Sequence, residues 1–389
     1  GLPQVRALRP APIVVRVIRR RSAPPRAIAR AAVHAPRRGP SARALGAALL
    51  LPLLLAGAGA PTTASHDGQP PAARRDTARR ATTGKRAKPA PAPRAAKAAP
   101  AAGNASPDSS REARLDARWA SLRMPAPLPG AILPARRIVA YYGNPHSKRM
   151  GVLGEYPLEQ MLVKLDAETR KWNAADPSRP VQPALHLIAV VAQGAAGTDG
   201  KWRRRESAAM IEKVHGWARQ KNALLFLDVQ IGKSTLEEEL QVLLPYLSRP
   251  DVHLGIDPEF AMTKGGDPGR RVGSYDARHI NQAIDVLGEL VTRHKLPPKV
   301  LVVHRFTGPM VTNSDQIRLD PRVQVVMHMD GWGPPYGKRA TWSRFIRPFP
   351  VQFTGFKLFY HNDTKAGHPL MQPKEVLALK PAPVYIQYQ

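Results

Sequence analysis

From residue 137 onward the chain alternates short, almost continuous apolar runs with longer stretches in which apolar residues recur every three or four positions. The first pattern predicts buried strands and the second predicts amphipathic helices. The predicted strands are RIVAYYG (Arg137–Gly143), ALHLIAVVAQ (Ala184–Gln193), ALLFLDV (Ala223–Val229), VHLGIDPEF (Val252–Phe260), KVLVVHRF (Lys299–Phe306), VQVVMHMDGWG (Val323–Gly333), VQFTGFKLFYHND (Val351–Asp363) and the terminal PVYIQYQ. Helices are predicted over 158–172, 206–220 and 276–294, and from Ser234 or Thr235, where Leu236, Leu240, Leu243 and Leu244 share one face. Eight strands in alternation with helices predict an α/β fold of the (β/α)8 TIM-barrel kind. An open doubly wound sheet fits less well, because its strand count is usually five or six and the first strand here leads into no glycine-rich dinucleotide loop.

A barrel gives the polar strand ends a common location. Tyr142, Gln193, Asp228, Asp257, Glu259, His304 and Asp330 all fall at or near the C-terminal ends of predicted strands, the face on which barrel enzymes assemble their sites. Taken singly, each has a plainer reading as a helix cap or a hydrogen-bonded core residue. The Gly-Lys-Ser-Thr after the third strand (Gly232–Thr235) is not a phosphate-binding loop, since the position that needs the first glycine is Leu227. It is expected to be a rim loop with Ser234 or Thr235 capping the next helix. GVLGEYP, with Glu155, and the glycine-rich KGGDPGRRVGS (Lys264–Ser274) are expected to be loops flanking the site.

The charge divides unevenly. Residues 1–133 carry 24 Lys and Arg against 5 Asp and Glu, whereas the remainder carries 35 against 24, within an overall net charge of +30. The N-terminal part has too few large apolar residues to bury a core. Within it, RALGAALLLPLLLAGAGAPTTA (Arg43–Ala64) has the three parts of an export signal, with Ala58-Gly59-Ala60 as the cleavage site. Its apolar run is shorter than a membrane span; uncleaved, it would serve as an anchor. The expected organisation is therefore a basic region and export signal over 1–60, a disordered Ala/Pro/Lys/Arg linker over 61–133 and a barrel over 134–389. A short helix is expected near Ser110–Met124, with Leu115, Trp119 and Leu122 on one side. These features imply secretion or association with the cell envelope, the basic linker binding an anionic envelope. Nucleic acid is a less favoured partner, because a signal precedes the basic run. The chain has no cysteine, which excludes a lipid-modified cysteine at the signal, cysteine-ligated zinc and thiol catalysis.

Asp257 and Glu259 lie two apart in IDPEF, so a continuing strand would aim both to one side, about 6 to 7 Å apart. Two inward carboxylates can divide into a protonated acid and an ionised partner, as glycoside hydrolysis requires, and Asp228 on the next strand offers a third. The Asp-x-Glu of the fourth strand resembles that of barrel muramidases and, more distantly, chitinase-like hydrolases, and YIQYQ is similar to the final strand of the muramidases. YYGNPHSKRMGVLGEYP, LDVQIGKST, GIDPEFAM and VVHRFTGPMVTN resemble a family of secreted bacterial TIM-barrel proteins to which no reaction is attached. The muramidase likeness implies that Glu259 is the proton donor; the early Asp of that family is absent, the first strand ending Tyr-Tyr-Gly.

The expectation is therefore a cofactor-free hydrolase acting on an envelope or extracellular polysaccharide. Glu259 would be the acid, with Asp257 or Asp228 as its charged partner. Tyr142, Gln193, His304, Asp330 and Lys357 would hold substrate or water, and Trp332 and Tyr360 would stack on sugar rings. One alternative is a metal-dependent phosphodiesterase with ligands among His304, His328, Asp330 and Asp257 and with Lys357 or Arg305 on a phosphate. Another is a barrel that binds glycan without cleaving it.

Overall fold

The computed structural model describes residues 107–389. The expected signal, and the linker before residue 107, lie outside the described residues. Eight parallel strands form the barrel: β1 (Arg137–Gly143), β2 (Val181–Ala192), β3 (Leu224–Val229), β4 (Val252–Ile256), β5 (Lys299–Arg305), β6 (Val323–Met329), β7 (Phe353–Leu358) and β8 (Tyr385–Tyr388). Each pairs with the next in sequence order, and β8 closes the ring on β1 from Ile138↔Tyr385 to Tyr141↔Tyr388. A short strand, Arg203–Arg205, not evident from the sequence pattern, adds antiparallel to the end of β2.

Apart from a four-residue helical turn at Val152–Glu155, within the segment expected to be a loop, the helices are α1 (Pro107–Ala120), α2 (Leu158–Ala175), α3 (Ala208–Arg219), α4 (Leu236–Leu247), α5 (Ala277–His294), α6 (Pro335–Phe345) and the single turn α7 (Pro373–Leu377). α2 to α7 each follow a barrel strand. Thr235 caps α4 by accepting from the Glu238 backbone N–H at 3.2 Å, so Gly-Lys-Ser-Thr is a helix start, a role in which a threonine contributes about 1 kcal/mol. α1 ends at Ala120, earlier than the apolar spacing suggested. It packs on the outside of the barrel, where Trp119 Nε1 donates to the Arg347 carbonyl at 2.8 Å and Arg347 pairs with Asp116 at 3.0 Å.

Strand residues alternate between two cores. One parity, including Val139, Leu185, Leu225, Leu254, Leu301 and Val325, packs under the helices. The other fills the lower barrel with Ile138, Ala140, Ala184, Leu224, Phe226, Val300, Val302 and Val326. Leu133, fully buried, plugs the floor, and the backbone N–H groups of Ile132 and Leu133 both donate to Gln324 Oε1 at 3.0 Å. Following the inner parity toward the C-terminal mouth, apolar residues give way to polar ones on strand after strand. Ala184 leads to His186, Phe226 to Asp228, Val302 to His304, Val326 to His328 and Tyr385 to Gln387.

Candidate active site at the barrel mouth

Above the apolar layer lies a fully enclosed polar one. Asp228 is at its centre: Oδ2 accepts from Tyr142 Oη at 2.8 Å, while Oδ1 lies 3.4 Å from both His186 Nε2 and His304 Nε2. At that distance the contacts with the imidazoles are electrostatic rather than good hydrogen bonds. The far nitrogen of His304, Nδ1, meets Asp330 Oδ2 at 2.9 Å. That of His186 lies 2.6 Å from Tyr385 Oη and 2.9 Å from the Gln387 amide. Two glycines make room for these side chains. A Cβ on Gly255 would fall 2.4 Å from both Asp228 Oδ1 and His186 Nε2, and one on Gly355 would fall 2.5 Å from His328 Nδ1.

Burial favours the neutral form of every group here, and neighbouring charge decides which groups escape it. Burial drives the carboxyl of Asp228 upward, but the two histidines outweigh it and hold the group well below the usual carboxylate range. Burial opposes charge on His304 too, yet Asp228 and Asp330 together push its imidazole up to about 10. His186 goes the other way, lowered by burial to about 4. Among the described residues, His186, Asp228 and His304 are the set that could hold a metal, their donor atoms all lying within 4.8 Å of one another.

Above this layer opens a cavity of about 920 Å³. Tyr142, Asp257, Glu259, Asp330 and Lys357 face it from below, Gln193 lies on its wall, and Phe306, Trp332, Tyr336 and Phe359 contribute rings. Trp332 is 51% exposed and Tyr336 72% exposed. Lys357 Nζ is 3.8 Å from the centre of the Tyr142 ring, and burial lowers its pKa. Glu259 and Asp257 respond in the opposite sense. Burial, reinforced by Asp257 and Asp330, pushes the Glu259 carboxyl up to about 8. Burial also raises Asp257, to about 7, with His304 opposing and the nearby carboxylates of Asp330 and Asp228 adding.

Several sequence expectations change. Asp228 and His304 do not face the cavity; both are fully buried beneath it. Asp257 and Glu259 do not share a strand face, because β4 ends at Ile256 and Pro258 opens a 3-10 turn. Asp257 caps that turn, accepting from the Glu259 N–H at 3.0 Å, and both carboxyls nevertheless reach the same cavity. Tyr360 belongs elsewhere: it bonds Tyr141 Oη and Glu168 at 3.1 Å and stacks on Tyr388, under the helices. Gln193 lines the cavity, but its amide is engaged with the carbonyls of Val191 and Ala192. Glu155 and the 264–274 loop do not line it. Of the ligands considered for a phosphodiesterase, only His304 belongs to the candidate metal set. Arg305 turns away, with its guanidinium against the Phe349 ring at 4.4 Å. His186 gives no sign of chemistry in the sequence because it lies inside an apolar run, though strand parity marks it as inward; Gln387 is legible only through the likeness of YIQYQ to a muramidase strand.

Compared with models of known protein families and with curated proteins, the sequence matches none.

Proposed function

We propose that the chain is a glycoside hydrolase acting on an envelope or extracellular polysaccharide, with Glu259 as the general acid. The observation that carries this reading is Glu259 on the wall of an open cavity beside Asp257 and Asp330, where burial and those carboxyls push its own carboxyl up to about 8. Such a group can protonate a departing glycosidic oxygen while an ionised carboxylate stabilises the sugar cation or activates water. Asp330, anchored by His304, is the cavity carboxylate best suited to be that partner. Asp257 positions Glu259 through the turn it caps, and its negative charge helps Glu259 retain its proton. Asp228 acts at one remove, orienting Tyr142 and His304. Lys357 offers a donor to a sugar hydroxyl, and the exposed Trp332 and Tyr336 rings offer apolar faces for pyranose stacking.

Export through the Arg43–Ala64 segment and retention by the basic linker would place this chemistry at the envelope. The test compares wild type with Glu259→Gln on cell-wall polysaccharide, reading new reducing ends and polysaccharide binding separately. Glu259→Gln is expected to lose about 10²- to 10⁴-fold in turnover while retaining binding. Unchanged turnover would remove Glu259 from the reaction, and binding without cleavage by wild type would favour a glycan-binding barrel.

A further inference from the structure

We infer that His186, Asp228 and His304 bind one divalent transition-metal ion beneath the floor of the cavity, clamping β2, β3 and β5. Four observations carry this, and none depends on the chemistry proposed for Glu259. His186 Nε2, Asp228 Oδ1 and His304 Nε2 are completely buried, and none has a hydrogen-bond partner. Buried polar atoms are otherwise almost always paired, so three unpaired ones converging on one point call for an occupant.

Both nitrogen-to-carboxylate spacings suit a metal. Each nitrogen lies 3.4 Å from the carboxylate oxygen. Atoms that far apart, each about 2.1 Å from a zinc-like ion, subtend about 108° at it, close to the tetrahedral angle.

The far side of each ligand is already tied. Asp330 accepts from His304 Nδ1, Tyr385 Oη is 2.6 Å from His186 Nδ1, and Tyr142 donates to the other oxygen of Asp228. With its Nδ1 proton donated to Asp330, His304 gives up its Nε2 proton to bind the ion, and His186 presents its Nε2 lone pair when the Gln387 amide turns Oε1, a buried acceptor without a partner, toward Nδ1. Carboxylates and hydroxyls orienting histidine ligands in this way are the usual surroundings of a bound metal. Finally, Gly255 lacks the Cβ that would collide with two of the three donors. Two imidazoles and one carboxylate favour zinc, cobalt or iron over calcium or magnesium, which prefer all-oxygen surroundings. Tyr142 lies between the donors and the cavity, so the ion would support the floor rather than meet the polysaccharide.

The experiment strips the purified full-length protein with a chelator and titrates it with zinc by calorimetry, then with cobalt(II) by visible absorption. One zinc per chain, a higher melting temperature with zinc, and the visible bands of four-coordinate cobalt are expected. Asp228→Asn and His186→Gln should each weaken zinc binding by about a hundredfold or more, whereas Glu259→Gln should bind as wild type does. If either variant fails to fold by circular dichroism, the cobalt spectrum of wild type decides. Absence of stoichiometric uptake by folded wild type would overturn the site in favour of a protonated His304 or a buried water there. Uptake undiminished in both folded variants would place the metal on other histidines and would overturn it equally.

Discussion

Asp228 and Glu259 are both carboxylic acids near the C-terminal mouth of one barrel, yet their surroundings drive them to opposite states. Asp228 is enclosed by two imidazoles and a phenol, and it stays ionised despite complete burial. Glu259, less deeply placed, has Asp257 and Asp330 for neighbours, and it retains its proton near neutrality. Depth alone would order them the other way, since desolvation penalises the more buried charge most. The local charge pattern therefore outweighs burial, and it divides the mouth into an ionic layer beneath the cavity and a cavity wall on which Glu259 keeps its proton.

The largest effect should come from breaking the ionic layer. Asp228→Ala removes the one carboxylate shared by His186, His304 and Tyr142, leaving the buried His304 imidazolium with Asp330 but not Asp228 beside it and the Tyr142 hydroxyl without its acceptor. Removing one partner from a buried ion pair costs about 3–5 kcal/mol, a large fraction of an ordinary domain's stability. Urea unfolding monitored by tryptophan fluorescence should show that loss. A cost under about 1 kcal/mol, the size of an exposed pair, would mean that the enclosed network contributes little.

The cavity wall should give a pH-dependent signal. The native pKa of Glu259, about 8, lies above its unfolded value of about 4.3. Its contribution to stability is therefore fully present below the unfolded value and is lost as pH rises through about 8. Glu259→Gln has no proton to lose, so its melting temperature should rise relative to wild type across that window, and the difference between the two should be flat below it. Asp257, raised to about 7, adds to the same decline in wild type. A difference that stayed constant from pH 4 to pH 9 would show that Glu259 ionises normally in the folded protein.

Much of this was legible in the sequence, for identifiable reasons. The barrel strands are buried on both faces, and their apolar runs are bounded by glycine, proline and polar residues, so β1 and β5 fall within a residue of the predicted limits. Alternation within a run was harder to see. His186 lies between Leu185 and Leu187, both of which pack under the helices, and only the two-residue period linking it to Ala184 reveals that it faces inward. The Asp-x-Glu motif misled through Pro258, whose fixed φ suits the first position of a helical turn and ends the strand that would have carried both side chains. Tyr360 misled because β7 stops at Leu358; beyond it the chain bends, and the ring packs on Tyr388 outside the barrel. Strand ends depend on side-chain partners brought from distant segments, which a linear pattern does not contain.

That bend also supplies the finest test of the division between cavity and scaffold, because the sequence treats Trp332 and Tyr360 alike as aromatic residues beyond strand ends. The Trp332 ring borders the cavity, half exposed, with Lys365 Nζ 5.2 Å from its centre. Tyr360 has both its hydroxyl and its ring committed to Tyr141, Glu168 and Tyr388. Trp332→Ala should weaken polysaccharide binding by about 0.5–1.5 kcal/mol, the usual worth of an aromatic contact beyond its area, with little change in melting temperature. Tyr360→Phe should do the reverse: polysaccharide binding as in wild type, with a stability loss of about 1 kcal/mol from the missing hydrogen bonds. Equal binding losses in the two variants would mean that the cavity wall extends past Phe359 toward the helices, and Trp332 would lose its place as the stacking surface.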